Sequence, residues 1–126
     1  MSIPERILVA GGAGFIGQSL VRAILARYSE TEVIIIDNGT HATAKFLDRI
    51  TSDRLIWYRC DIRQYDAVAR GFKERSLDTV INLAARAGVN DSILDPRTNF
   101  EANVIGHFNL LDLARTHDVR HFLLAS

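Results

Sequence analysis

The chain has 126 residues, 15 Lys plus Arg against 15 Asp plus Glu, and 48% hydrophobic residues. That is enough apolar side chain for a core, and it places residues 1–126 in one globular domain. Even charge argues against nucleic acid as a partner, the lone Cys60 excludes an internal disulfide, and no apolar run is long enough to span a membrane.

The first twelve residues, "MSIPERILVAGG", lack a basic region followed by a long apolar stretch. No signal peptide is read there, and a cytoplasmic location is expected. "RILVA" (6–10) is a strand. A helix follows over 15–28, with Ile16, Leu20 and Ile24 at i, i+4, i+8 and Val21 and Leu25 beside them. "EVIIID" (32–37) is the second strand, and 42–50 reads as a short helix. "RLIWYRC" (54–60) is the third strand, and 63–75 carries a weaker helical pattern through Val68 and Phe72. "DTVINLA" (78–84) is the fourth. Pro96 helps start a long helix, 98–116, on which Phe100, Val104, Phe108 and Leu111 form one stripe. "RHFLLAS" (120–126) is the fifth strand. The strands are continuously apolar, as strands buried on both faces are. Alternating strand and helix imply a Rossmann-type doubly wound α/β fold, a parallel sheet in the order 3-2-1-4-5.

Between the first strand and the first helix stands "GGAGFIG". A turn that binds a dinucleotide must reverse tightly, admit a diphosphate to backbone N–H groups, and let the helix lie close. Each demand removes a Cβ. Gly11 suits the turn, Gly14 the close approach and Gly17 the helix–strand contact. With Phe15 and Ile16 they form the opening of the helix, where free N–H groups favour an anion. Asp37 ends the second strand 20 residues after Gly17, placed to accept from an adenosine ribose and to repel a 2′-phosphate. Glycines chosen for packing alone, and a merely polar strand end, are the plain alternatives. The strand–glycine–helix–carboxylate pattern favours a dinucleotide, NAD over NADP.

The stretches "ILVAGGAGFIG", "IIIDN", "CDIR", "NLAARAGVNDS", "NVIGHFNLLDLA" and "HFLLAS" together resemble the extended short-chain dehydrogenase/reductase family, the NAD-dependent nucleotide-sugar epimerases and dehydratases. "AGVNDSILDP" is most similar to UDP-glucuronate 4-epimerases, with Asn90 where those carry Arg, and Ala10 stands where the family often has Thr. The resemblance implies that Asp37 and Asn38 hold the adenosine ribose. It puts Asp61 and Ile62 beside adenine, one accepting from the amino group and one packing on the ring. Leu83, Ala84 and Ala85 would line the cofactor, Asn103 would hydrogen-bond near them, and Ser126 would lie by the nicotinamide half. It also implies a nucleotide-sugar substrate and a homo-oligomer. Ordinary packing, capping and surface roles are available to each of these residues taken singly.

Such enzymes use a tyrosine base with a lysine four residues later. Here Tyr28 precedes Glu32, Tyr58 precedes Ile62 and Tyr65 precedes Ala69, while the lysines are Lys45 and Lys73. No catalytic residue is assigned. The expectation is a cofactor-binding N-terminal half whose substrate region lies elsewhere; the alternative is a non-enzymatic NAD-binding or regulatory module. His41, His107, His117 and His121 have no metal-ligand spacing, Cys60 reads as a small core residue, and Arg86 and Arg97 read as surface residues rather than partners of a substrate phosphate; the resemblance alone implies a sugar contact for Ser92.

Overall fold

The computed structural model describes residues 2–40 and 49–126. The helix expected at 42–50 falls almost wholly outside the described residues. Strands β1 (Arg6–Ala10), β2 (Glu32–Asp37), β3 (Leu55–Arg59), β4 (Thr79–Asn82) and β5 (His121–Leu124) form one parallel sheet. Its order, β3-β2-β1-β4-β5, is the expected one. Helices α1 (Phe15–Arg27), α2 (Tyr65–Lys73), α3 (Val89–Leu94), α4 (Pro96–Phe100) and α5 (Gly106–Thr116) connect the strands, with a π-helical segment, Glu101–Ile105, between α4 and α5.

β2 shows why the apolar runs do not alternate. Val33 and Ile35 pack with Val9, Val21 and Ile24 of β1 and α1. Ile34 and Ile36 pack on the other face with Val68 and Phe72 of α2 and Leu110 and Leu113 of α5. All four β2 residues are fully buried because helices cover both faces. β5 is an edge strand and departs from that pattern: Leu123 and Leu124 are about half exposed.

Two periodicity readings need correction. Ile16 does not join the buried face of α1, which is Gly17, Gln18, Val21 and Ile24. It sits on the first turn, beyond the sheet, and is 67% exposed. The region 98–116 is not one regular helix, and its Phe100–Val104–Phe108–Leu111 stripe faces outward. α5 buries Gly106, Asn109, Leu110, Leu113 and Ala114 instead. Spacing identifies an apolar face but not what lies against it. α3, with no buried residue, gave no periodic signal and was not foreseen. Pro96 does occupy a helix start, with the Asp95 side chain accepting from Thr98 N–H at 3.2 Å.

Candidate functional site

β1 lies between β2 and β4, so the chain leaves the sheet in opposite directions on either side of its C-terminal end. Ligands of open α/β sheets bind in that crevice. The glycine turn occupies it. Gly11 has φ +78°, a backbone conformation that costs glycine little, and donates its N–H to Ile36 O at 2.8 Å. A Cβ on Gly11 would stand 2.8 Å from Ala84 N, so β4's exit presses directly on the turn. A Cβ on Gly17 would stand 2.2 Å from Gly11 O and 2.7 Å from Gly12 Cα. Gly17 therefore serves the turn's own backbone, and Gly12, 2.8 Å from Ile35 Cγ1 by the same construction, makes the contact with the strand.

Gly14 differs. A Cβ there would have Gly11 O, at 3.2 Å, as its one neighbour within 4 Å. The turn keeps open space at Gly14, which is the N-cap of α1. No side chain caps this helix and its first turn carries no acidic residue. Phe15 and Ile16 have exposed side chains, so what they offer the crevice is backbone N–H. A glycine-lined opening with uncapped donors and no carboxylate fits the diphosphate of a dinucleotide.

Asp37 closes the turn from β2. Its Oδ2 accepts from Ala13 N–H at 3.1 Å and its Oδ1 from Gly39 N–H at 2.8 Å. A carboxylate has about four lone-pair sites, so it retains acceptor capacity for a ribose diol. The Asn38 side chain is turned back, accepting from Thr40 N–H at 3.2 Å and Thr40 Oγ1 at 3.0 Å.

At the end of β3, Arg63 grips Asp61 with Nε on both oxygens at 3.0 Å and a second nitrogen on Oδ2 at 2.6 Å. The Arg63 guanidinium is the main reason the Asp61 carboxyl is held below the usual range. Its oxygens are thus committed before any adenine amino group arrives. Ile62 is buried and faces inward: a Cβ on Gly106 would meet its Cδ1 at 2.5 Å. Buried Asn109 donates to Ile62 O at 2.9 Å and Arg63 O at 3.2 Å. The Ile62 side chain packs into the core beneath α5.

The β4 exit is set by a residue the sequence reading passed over. Asn82 is buried in an apolar strand; its Oδ1 accepts from Ala84 N–H at 3.0 Å and its Nδ2 faces His107 Nδ1 at 3.0 Å. Since Oδ1 is committed to Ala84, His107 Nδ1 is the acceptor and the ring proton sits on Nε2. The only available signal was an amide inside "VINLA". Leu83 N–H donates to Ala10 O at 2.9 Å, and Leu83 and Ala84 pack into opposite core clusters while Ala85 is exposed. Asn103, on the π-helical segment, accepts from Arg86 N–H at 2.7 Å and donates to Arg86 O at 3.1 Å. Asn99 adds a bond to the same carbonyl at 3.2 Å. Ala125 N–H meets Asn82 O at 3.1 Å, bringing Ser126 to the same edge.

The phenols lie elsewhere. Tyr58 pairs with Glu74, and Tyr65 with Asp112 at 2.9 Å. Burial, with the Glu74 bond, raises the first; the Asp112 bond raises the second. Neither is tuned as a base. Burial also raises the Cys60 thiol, which packs against the core as expected.

The family model described as "NAD dependent epimerase/dehydratase family" matches residues 7–126. The chain belongs to this family. It is 37% identical over 114 residues to dTDP-glucose 4,6-dehydratase 1 of Escherichia coli, covering 89% of this chain and 31% of that protein. It is 37% identical over 120 residues to UDP-glucose 4-epimerase of Halalkalibacterium halodurans, covering 95% and 34%. The crystal structure of Thermus thermophilus UDP-glucose 4-epimerase in complex with NAD has 38% identity and a TM-score of 0.80, over 93% of this chain and 36% of that one. The chain thus spans about a third of the length of these relatives.

Proposed function

We propose that residues 1–126 are an NAD-binding Rossmann domain, and that the protein acts as a nucleotide-sugar epimerase or dehydratase. The observation that carries the reading is the open, uncapped α1 N-terminus at Gly14, with Asp37 across the turn. First-turn N–H groups of Phe15, Ile16 and Gly17 would hold the diphosphate, and Asp37 the adenosine ribose. Asn82, Asn103 and the Leu83–Ala85 backbone would wall the nicotinamide side, near Ser126. NAD, when bound, accepts a hydride from the sugar and returns it. In these 126 residues no tyrosine has the lysine partner, so chemistry needs residues outside them.

The relatives include dTDP-glucose 4,6-dehydratases and UDP-glucose 4-epimerases. "AGVNDSILDP" leads us to UDP-glucuronate as the substrate; a cytoplasmic location goes with this reading. The exposed stripe of Phe100, Val104, Phe108 and Leu111 supports self-association. A non-enzymatic NAD-binding module shares every one of these features except the substrate.

Calorimetry with NAD and NADP tests the reading. We expect NAD to bind about tenfold or more tighter, the scale of one unfavourable charge contact at Asp37. Tighter NADP binding, or no binding of either, overturns it. Light scattering across a dilution series tests association, which a monomer at high concentration overturns. Assay of the full-length protein with UDP-glucuronate separates enzyme from module.

A further inference from the structure

β2 and β3 run parallel with Asp37 directly opposite Arg59. Val33, Ile35, Leu55 and Trp57 share the α1 face of the sheet, and by strand alternation Asp37 and Arg59 belong to the same face. Ala13 N–H, from the glycine turn, meets Asp37 there. Arg59 therefore stands beside the carboxylate that the dinucleotide reading assigns to the ribose.

Its guanidinium stacks on a neighbouring ring. The carbon of the fork lies 4.0 Å from the centroid of the Trp57 ring. Trp57 is itself held, donating its indole N–H to Asp37 O at 3.2 Å. A Cβ built on Gly39 would come 3.6 Å from Arg59 Nη1 and 3.7 Å from Trp57 Cζ2, so the fork lies along the Asp37–Asn38–Gly39 exit. Arg59 is exposed and, among the described residues, makes no ion pair, whereas Arg6, Arg63, Arg75, Arg86 and Arg120 each have a carboxylate. Asp37 forms no ion pair with it either: the carboxylate accepts from the backbone N–H groups of Ala13 and Gly39. A stacked arginine with unspent donors is a pre-ordered receptor for phosphate oxygens.

We propose that Arg59 is a specificity-determining residue able to hold a phosphate on the adenosine 2′-hydroxyl, and that Asp37 alone keeps that phosphate out. The proposal rests on the dinucleotide reading above. It makes the preference for NAD a contest between two neighbouring side chains of opposite charge. Removing the Asp37 charge leaves Arg59 to act, and the site accepts the 2′-phosphorylated ligand.

The probes are AMP and adenosine 2′,5′-bisphosphate, which need only the adenosine half of the site. Calorimetry is run on the chain, on Asp37→Asn, on Arg59→Met and on the double variant, with circular dichroism confirming folding. Asn retains one carbonyl acceptor for the turn, and Met retains an apolar stem over Trp57. We expect Asp37→Asn to bind the bisphosphate about tenfold or more tighter than the parent does, the scale of one charge-assisted hydrogen bond. Adding Arg59→Met removes that gain and leaves AMP within about twofold, since Arg59 meets only the 2′-phosphate. The emission of Trp57, the sole tryptophan, responds to the bisphosphate in Asp37→Asn and less to AMP. Retention of the gain in the double variant overturns the proposal, as does an equal loss of AMP and bisphosphate in Arg59→Met. Failure of AMP to bind the parent chain instead overturns the dinucleotide reading, and this proposal falls with it.

Discussion

The two ends of the sheet treat their polar groups in opposite ways. At the N-terminal end, Asp78 accepts from Glu5 N–H at 2.7 Å, Arg6 N–H at 2.9 Å and the Arg120 guanidinium at 2.5 Å. One carboxylate ties the entry of β1 to the entry of β5. At the C-terminal end, the helix start has no side-chain cap, Gly14 faces space, and among the described residues Arg59, stacked on Trp57, forms no ion pair. The strands are continuous between the two ends, so sheet packing does not explain the contrast. At one end the Asp78 carboxylate is satisfied by the chain's own donors, and at the other the helix start leaves N–H donors that no side chain caps.

The contrast is broken most severely at Gly17. Gly17→Ala places a methyl into Gly11 O and Gly12, backbone that cannot swing aside. We expect a loss of about 3 kcal/mol, the upper end for overpacking, read as a lower denaturation midpoint. Gly14→Val separates structure from binding. Its side chain enters the open space, with one neighbour to move by a few tenths of an ångström. NAD affinity should fall about a hundredfold or more in calorimetry, while the midpoint moves by less than a third of the Gly17→Ala change. Equal effects of the two variants on stability would falsify the division of labour between these glycines.

Asn103→Ala comes next. It removes both bonds to the Arg86 backbone, at 2.7 and 3.1 Å, from an exposed loop anchor. We expect about 1 kcal/mol of stability and a larger proportional loss of NAD affinity, because the loop that follows the β4 exit loses its register. Faster amide hydrogen exchange confined to 83–90 is the check.

The sheet order, the glycine turn and Asp37 were legible because local residue chemistry fixes them. A strand covered on both faces is apolar throughout, and a turn pressed against Ala84 and its own carbonyl has no room for Cβ. What was illegible depends on partners distant in sequence. Asn82 reads as an interruption until His107, 25 residues on, is placed against it. Ile62 follows a motif that implies an adenine contact, yet its direction is decided by the gap over Gly106. Asp61 carries the same motif, and Arg63, two residues away, engages both its oxygens. The outward stripe of α4 and α5 obeys helical spacing as well as a buried stripe would. The π-helical segment changes which residues share a face without altering composition.

The smallest expected effect tests the Asp78 end of the sheet. Burial raises the Asp78 carboxyl, but the Arg6 N–H, the Arg120 guanidinium and the Glu5 N–H outweigh it and leave the pKa lowered. A carboxylate lowered in the folded state contributes stability that is present above its unfolded value, about 3.9. That contribution is lost as pH falls through the folded value. Asp78→Asn keeps the shape but removes the charge. At neutral pH we expect it to cost about 1 kcal/mol, since Arg120 is largely exposed and its attraction is screened. Below the folded value the parent is also protonated there, so the two denaturation midpoints should converge with acid. NAD affinity should be unchanged, because Asp78 lies at the opposite end of β4 from the glycine turn. A gap between the midpoints that persists in acid would mean that Asp78 acts by packing rather than charge. A loss of NAD affinity would mean that the two ends of the sheet are not independent.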